Sequence, residues 1–178
     1  MNGAPTAVRT LALQPLAHEA FAPYGFVVAA GDRAGRPIND GTSQRIDLPD
    51  PDVAGDDGHP ALAVFRASAA RLPFAVRALE RHRLGGQTFV PLGGSPFAVV
   101  VALGDAEPDP ASMRAFLVDG RSGVHFARGV WHHPLLALAD GDFVVLERRG
   151  AAIDCEVVAV AQTVVVDAPP AFRPGDDP

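Results

Sequence analysis

The chain has 178 residues, 48% of them hydrophobic and 20% charged, which suits one globular domain able to build its own core. A net charge of −6 supplies no general positive field, so neither nucleic acid nor an anionic membrane is an expected partner. All 15 basic residues are arginine, which removes lysine Schiff-base and phosphate-loop chemistry and leaves guanidinium groups to read a small anionic substrate.

Pro15 to Phe21 reads as a short helix with proline at its first position, stopped by Pro23 and Gly25. A strand is expected at Gly25 to Ala30, then turns from Gly31 to Gly41, a brief strand at Gln44 to Leu48 and a solvated acidic loop from Pro49 to Pro60. Ala61 to Arg66 is the next strand. Phe74 to His82 alternates, with Phe74, Val76, Ala78, Glu80 and His82 on one face and Ala75, Arg77, Leu79 and Arg81 on the other. Gly85-Gly86 forms a turn, and Gln87 to Leu92 returns as a strand whose Pro91 points to an edge or a bulge. Phe97 to Leu103 is apolar throughout, as in a strand buried on both faces.

Asp109-Pro110 looks like a cap and first turn, so Pro110 to Phe116 is expected to be a helix of about two turns. Strands resume at Val124 to Arg128, Trp131 to Leu138, Asp142 to Arg148 and Glu156 to Val166, with Asp140-Gly141 as a hairpin turn. Eighteen glycines and 17 prolines fit many short strands joined by turns, hence an all-β sandwich or barrel with a few peripheral helices. Residues 1–166 would form a single domain and 167–178 a loose tail. The lone cysteine, Cys155, fits a reducing compartment. With no apolar run near the roughly 18 residues that span a bilayer and no leader-like start, the cytoplasm is the expected location.

Glu80 and His82 stand two apart on a strand, so their side chains point the same way about 6 to 7 Å apart. Two ionisable groups in line with Phe74, Val76 and Ala78 would be costly in a dry core, whereas at a cavity mouth they could hold a metal or a substrate; a strand that merely reaches the solvated rim is the plainer alternative. Gln87 follows five positions after His82, and Gly129-Val130-Trp131-His132 brings another imidazole after a late turn. Consecutive side chains alternate on a strand, so of His132 and His133 only one can face inward; His132 is chosen, and His133 and Trp131 are read as structural.

This pattern resembles the cupin signature, in which two ligands one residue apart, a third after a short turn and a late histidine converge inside a small antiparallel β-barrel or jelly roll. The resemblance maps them onto Glu80, His82, Gln87 and His132. Nitrogen and oxygen donors of this kind suit a first-row divalent ion. More closely, the chain resembles the ureidoglycolate lyase family, also called ureidoglycolate hydrolase. The matching stretches are Glu19–Gly25, Ile38–Gly41, Val64–Ala67, Leu79–Pro91, Val99–Gly104, Met113–Phe116, Gly129–Leu136 and Asp154–Glu156. The Glu80-Arg81-His82…Gln87 and Gly129-Val130-Trp131-His132-His133-Pro134 blocks are the specific ones.

The resemblance implies a homodimeric cytosolic barrel of allantoin and purine breakdown that splits ureidoglycolate into glyoxylate and urea. It also implies a divalent metal, nickel in some members, and a metal-free route stays open beside it. Two departures stand out. The family pattern Gly-Val-Asn-Tyr-His-Arg is here Gly123-Val124-His125-Phe126-Ala127-Arg128, and Arg45-Ile46-Asp47 lacks a histidine expected there.

Cleavage requires loss of the substrate hydroxyl proton and protonation of the departing urea nitrogen. Glu80 or His82 could serve as base and His125 or His132 as acid; Arg66, Arg128 or Arg148 could fork onto the substrate carboxylate, and Asn39 and Thr42 could bond the urea group. The competing readings are a non-catalytic or altered-specificity cupin that binds a small carboxylate metabolite, and a metal-dependent dioxygenase or isomerase, which Gln87 at the third ligand position disfavours.

Overall fold

Apolar runs punctuated by glycine and proline become strands throughout the computed structural model, which describes residues 8–55 and 57–168. The chain is all-β: β1 (Arg9–Ala12), β2 (Gln14–Pro15), the short α1 (His18–Phe21), β3 (Gly25–Val28), β4 (Arg36–Ile38), β5 (Ser43–Arg45), β6 (His59–Ala67) and β7 (Phe74–Arg81). It continues with β8 (Gln87–Leu92), β9 (Phe97–Ala102), β10 (Arg114–Val118), β11 (Gly123–Phe126), β12 (Trp131–His132), β13 (Leu136–Ala137), β14 (Gly141–Arg149) and β15 (Glu156–Asp167).

Two sheets form a barrel-like pair. One has the order β1-β15-β7-β12-β9-β10-β2 with β13 also on β9, the other β3-β11-β8-β14-β6, and β4 with β5 makes a separate ribbon. The apolar run of β9 explains how they share a core. Its Phe97, Val99 and Val101 pack between the sheets with Phe89, Phe126, Phe143 and Val145, while Ala98, Val100 and Ala102 pack behind the larger sheet with Leu79, Trp131 and Met113. All six β9 residues are buried, as an uninterrupted apolar strand requires.

Several local expectations give way to tertiary pairing. Pro15 does not open a helix: Gln14 and Pro15 pair in parallel with Phe116 and Leu117, and only His18–Phe21 is α-helical. Asp109 does cap, accepting from the Ala111 amide at 2.9 Å, but only Pro110–Ser112 form a 3₁₀ turn. From Arg114 the chain is strand β10, because Ala115, Phe116 and Val118 gain more by burying against β9 than a two-turn helix could offer. The single strand expected at Trp131 to Leu138 is broken into β12 and β13 around Pro134, which has no amide hydrogen to pair.

Neither glycine turn closes a hairpin. β7 and β8 lie in different sheets, as do β13 and β14, so Gly85-Gly86 and Asp140-Gly141 both carry the chain from the larger sheet to the smaller. The alternation along β7 also slips: Val76 is buried with Leu79 in the rear layer instead of sharing the face of Glu80. Opposite this stretch β15 shifts register between Ala159 and Val164, which lets β7 change parity. The acidic loop is not wholly solvated, since Val53 is buried and the Asp52 carbonyl accepts from the Gly86 amide at 2.9 Å. Asp167 ends β15, paired with Ala12, and the rest of the expected tail from 169 lies outside the described residues.

Candidate functional site

The crossing at Gly85-Gly86 builds the site by setting the end of β7 in one sheet against the start of β8 in the other. On the larger sheet His132 pairs directly with Glu80 and Val101, so all three face inward beside one another. On the smaller sheet Gln87 stands between Phe126 and Glu147 on the same inward face. Both glycines are needed for close approach: a Cβ on Gly85 would lie 2.5 Å from Arg148 Cβ, and one on Gly86 would lie 2.3 Å from the His125 ring.

Glu80, His82 and His132 each place one ligand atom within 4.8 Å of the others. Hydrogen bonds to the backbone fix which nitrogen of each ring faces inward. His132 Nδ1 lies 2.9 Å from the Val130 carbonyl and His82 Nδ1 lies 2.9 Å from the Asp154 carbonyl. A carbonyl only accepts, so both rings carry a proton on Nδ1 and turn Nε2 inward. His82 Nε2 is buried and has no hydrogen-bond partner among the described residues. His132 Nε2 meets Gln87 Oε1 at 3.2 Å and Glu80 Oε1 at 3.6 Å, both oxygen acceptors.

The approach of Glu80 to His132 is not an ion pair, since complete burial lowers the His132 pKa to about 3 and holds the ring neutral. Burial also raises the Glu80 carboxyl above its ordinary value; His82 and the Cys155 thiol oppose this and Glu147 adds to it. Cys155 Sγ donates to Glu80 Oε2 at 3.7 Å. Phe126 stacks on His132 with ring centroids 4.3 Å apart and planes at 12°, so this departure from the family pattern falls on the wall of the site.

Two imidazole nitrogens, an amide oxygen and a carboxylate oxygen thus converge between the sheets. Acceptors left facing acceptors in a buried hollow are costly, and a cation is what such a donor set can hold. The residues present fit a divalent ion with nitrogen and oxygen ligands.

The other sequence candidates are placed elsewhere. His125 lies on the outer face of the smaller sheet, stacked on Phe26 at 4.4 Å with Nδ1 2.9 Å from Thr88 Oγ1, and burial lowers its pKa to about 4. Arg66 is exposed and grips Asp142 through two bonds, five positions along β14 from Glu147 and so about 17 Å away. Asn39 and Thr42 form the turn between β4 and β5, where Thr42 Oγ1 donates to the Asn39 carbonyl. Arg148 is buried on the outer face, with Nε donating to the Gly55 carbonyl at 3.0 Å.

Arg128 pairs with Asp52 through two bonds, next to Gly129, whose amide donates to the His82 carbonyl at 2.7 Å. Trp131 is fully buried beneath the Arg81 guanidinium, and His133 packs edge-on against Phe74. Glu147, which the motif does not contain, joins the site through Oε2, which accepts from Gln87 Nε2 at 3.2 Å. The signal was available, because Glu147 continues the inward-facing series Phe143, Val145.

The fold is an all-β barrel-like pair of sheets, and a carboxylate, an amide and two imidazoles converge inside it as a donor set that can hold a cation. Its family is also defined. A family model described as ureidoglycolate lyase matches residues 8–167, and the chain belongs to the ureidoglycolate lyase family. It is 46% identical over 162 residues to a ureidoglycolate lyase of Burkholderia cepacia, covering 89% of this chain and 88% of that protein. To a ureidoglycolate lyase of Azotobacter vinelandii it is 42% identical over 151 residues, 84% of this chain and 91% of the other. For one of Pseudomonas aeruginosa the figures are 43% over 152 residues, 84% and 89%.

Proposed function

We propose that this protein splits ureidoglycolate into glyoxylate and urea in a cupin-type barrel, with Glu80, His82, Gln87 and His132 holding a divalent cation. The convergence of their nitrogen and oxygen atoms carries the reading. The bound ion would act as a Lewis acid toward the substrate's hydroxyl and carboxylate oxygens. The chain's own residues then handle one proton. His132 offers no proton inward, since its Nδ1 hydrogen is committed to the Val130 carbonyl and burial holds the ring neutral. Glu80 is therefore the group that takes the hydroxyl proton and returns it to the urea nitrogen as the carbon–nitrogen bond breaks, a base and then an acid.

Arg128, on the loop that bonds His82, is the favoured guanidinium for the substrate carboxylate. Residues 1–166 act as one domain in this reading, in the cytoplasm. A homodimer would cover the outer face of the smaller sheet, where Leu62, Val64 and Leu92 are 72%, 58% and 47% exposed beside an apolar groove of about 290 Å³.

Incubation with ureidoglycolate, with chelator and with added Ni²⁺, Mn²⁺ or Zn²⁺, tests the proposal. Equal yields of urea and glyoxylate that fall with chelator support it. Ammonia release would replace it with an amidohydrolase, and binding without turnover would leave a non-catalytic metabolite-binding barrel.

A further inference from the structure

We infer that Glu147 is a positioning residue that fixes the amide of Gln87 with its oxygen turned toward the imidazoles, an inference that rests on the cation-binding reading above. A glutamine amide has a donor end and an acceptor end of nearly the same shape. Left to itself, Gln87 would turn its NH₂ toward the bare Nε2 of His132, because that satisfies both groups. The same orientation would put amide hydrogens where a cation needs an electron pair.

Glu147 reverses the preference. Its carboxylate only accepts, so it takes Gln87 Nε2 at 3.2 Å and leaves Gln87 Oε1 3.2 Å from His132 Nε2. A hydrogen bond to a charged acceptor is roughly twice as strong as a neutral one, so it outweighs the amide-to-imidazole bond that it displaces. The placement is built into the sheet: Glu147 and Gln87 are directly opposed on β14 and β8, and Arg149 approaches the other Glu147 oxygen at 3.7 Å. Glu147 itself stands outside the Glu80, His82 and His132 trio. It acts through Gln87, turning the oxygen of a neutral amide toward the imidazoles.

The test is a cycle of isosteric variants, E147Q, Q87E and Q87E/E147Q, each stripped with chelator and titrated with Ni²⁺ and Mn²⁺ by calorimetry. In the parent, E147Q should weaken binding by about tenfold, the scale on which partners behind a metal ligand act. In the Q87E background two acceptors oppose each other, and E147Q restores a donor, so the same change should strengthen binding by several-fold. Action through charge alone would make E147Q weaken binding in both backgrounds, and that result overturns the inference. The metal-free proteins give a second readout, exchange of the Gln87 side-chain amide protons by NMR, which should be slowed in the parent and fast in E147L. Identical exchange in the two also overturns it. If the parent bound neither ion while E147L lost amide protection, the cation reading would fall and the positioning would stand.

Discussion

Replacing Glu80 by glutamine should move stability and function in opposite directions. In the parent, His132 Nε2 is fully buried and faces Glu80 Oε1 at 3.6 Å and Gln87 Oε1 at 3.2 Å, both acceptors. In E80Q the new side-chain amide could aim its NH₂ at His132 Nε2, a closure of about 0.6 Å to a normal bond length, and keep its oxygen toward the Cys155 thiol. Satisfying one buried acceptor contributes about 1–3 kcal/mol. For a chain of this size each kcal/mol raises Tm by about 2–4 °C. Metal-stripped E80Q should therefore melt several degrees above stripped wild type. It should also lose its stabilisation by added Ni²⁺ or Mn²⁺ and about 10²- to 10⁴-fold of turnover with ureidoglycolate. Calorimetric melts in chelator decide the matter: an E80Q protein that melts lower than wild type would show that the acceptors are not in conflict, and the need for a cation between them would vanish.

Acid should destabilise the metal-stripped protein in a defined window. Burial lowers His125 to about 4 and His132 to about 3, so between pH 6.5 and about 4 the unfolded chain binds protons that the folded one refuses. Stability held above pH 6.5 should fall on the order of 1 kcal/mol per pH unit for each ring, and equal urea midpoints at pH 7 and pH 5 would contradict this. Gly86→Ala would drive a Cβ to 2.3 Å from the His125 ring and 2.7 Å from the Pro51 carbonyl, so it should cost about 1–3 kcal/mol in urea unfolding and lower turnover through the neighbouring Gln87. The exposed Cys155 thiol lies 3.7 Å from Glu80, so alkylation with a bulky maleimide should abolish turnover in the parent and spare C155S. Loss in both would place the damage elsewhere.

What the sequence made legible was periodicity. Alternation put Glu80 and His82 on one side and Arg81 on the other, and the unbroken apolar run from Phe97 announced a strand buried on both faces. Partnership between strands was hidden. Gly85-Gly86 and Asp140-Gly141 look like hairpin turns because local chemistry is the same whether a strand folds back on its neighbour or crosses to another sheet. The Asp109 cap was real, yet the helix behind it was not, since only β9 alongside decides that Phe116 belongs to a strand. His125 and Phe126 show the same limit: their parity was readable, but which parity faces the hollow depends on β8, whose register turns Phe126 inward and His125 out.

Burying a carboxylate, an amide and two imidazoles side by side works against folding, and the residues facing away from them supply the restraint. Leu79, fully buried, and Arg81, 3% exposed, flank Glu80 on β7 and both point into the rear layer. There the Arg81 guanidinium lies 4.1 Å from the Trp131 ring and donates to Glu156 at 2.8 Å. Trp131 in turn is the strand neighbour of His132. One rear contact thus anchors both β7 and β12, and alternation converts that anchorage into fixed positions for Glu80 and His132 on the opposite face. Substituting Arg81 or Trp131 would loosen the pair together, whereas a change at Gln87 or Glu147 acts from the other sheet and leaves that anchor intact. The site is therefore held by two independent supports, and the barrel closes them over a set of donors that neither support could assemble alone.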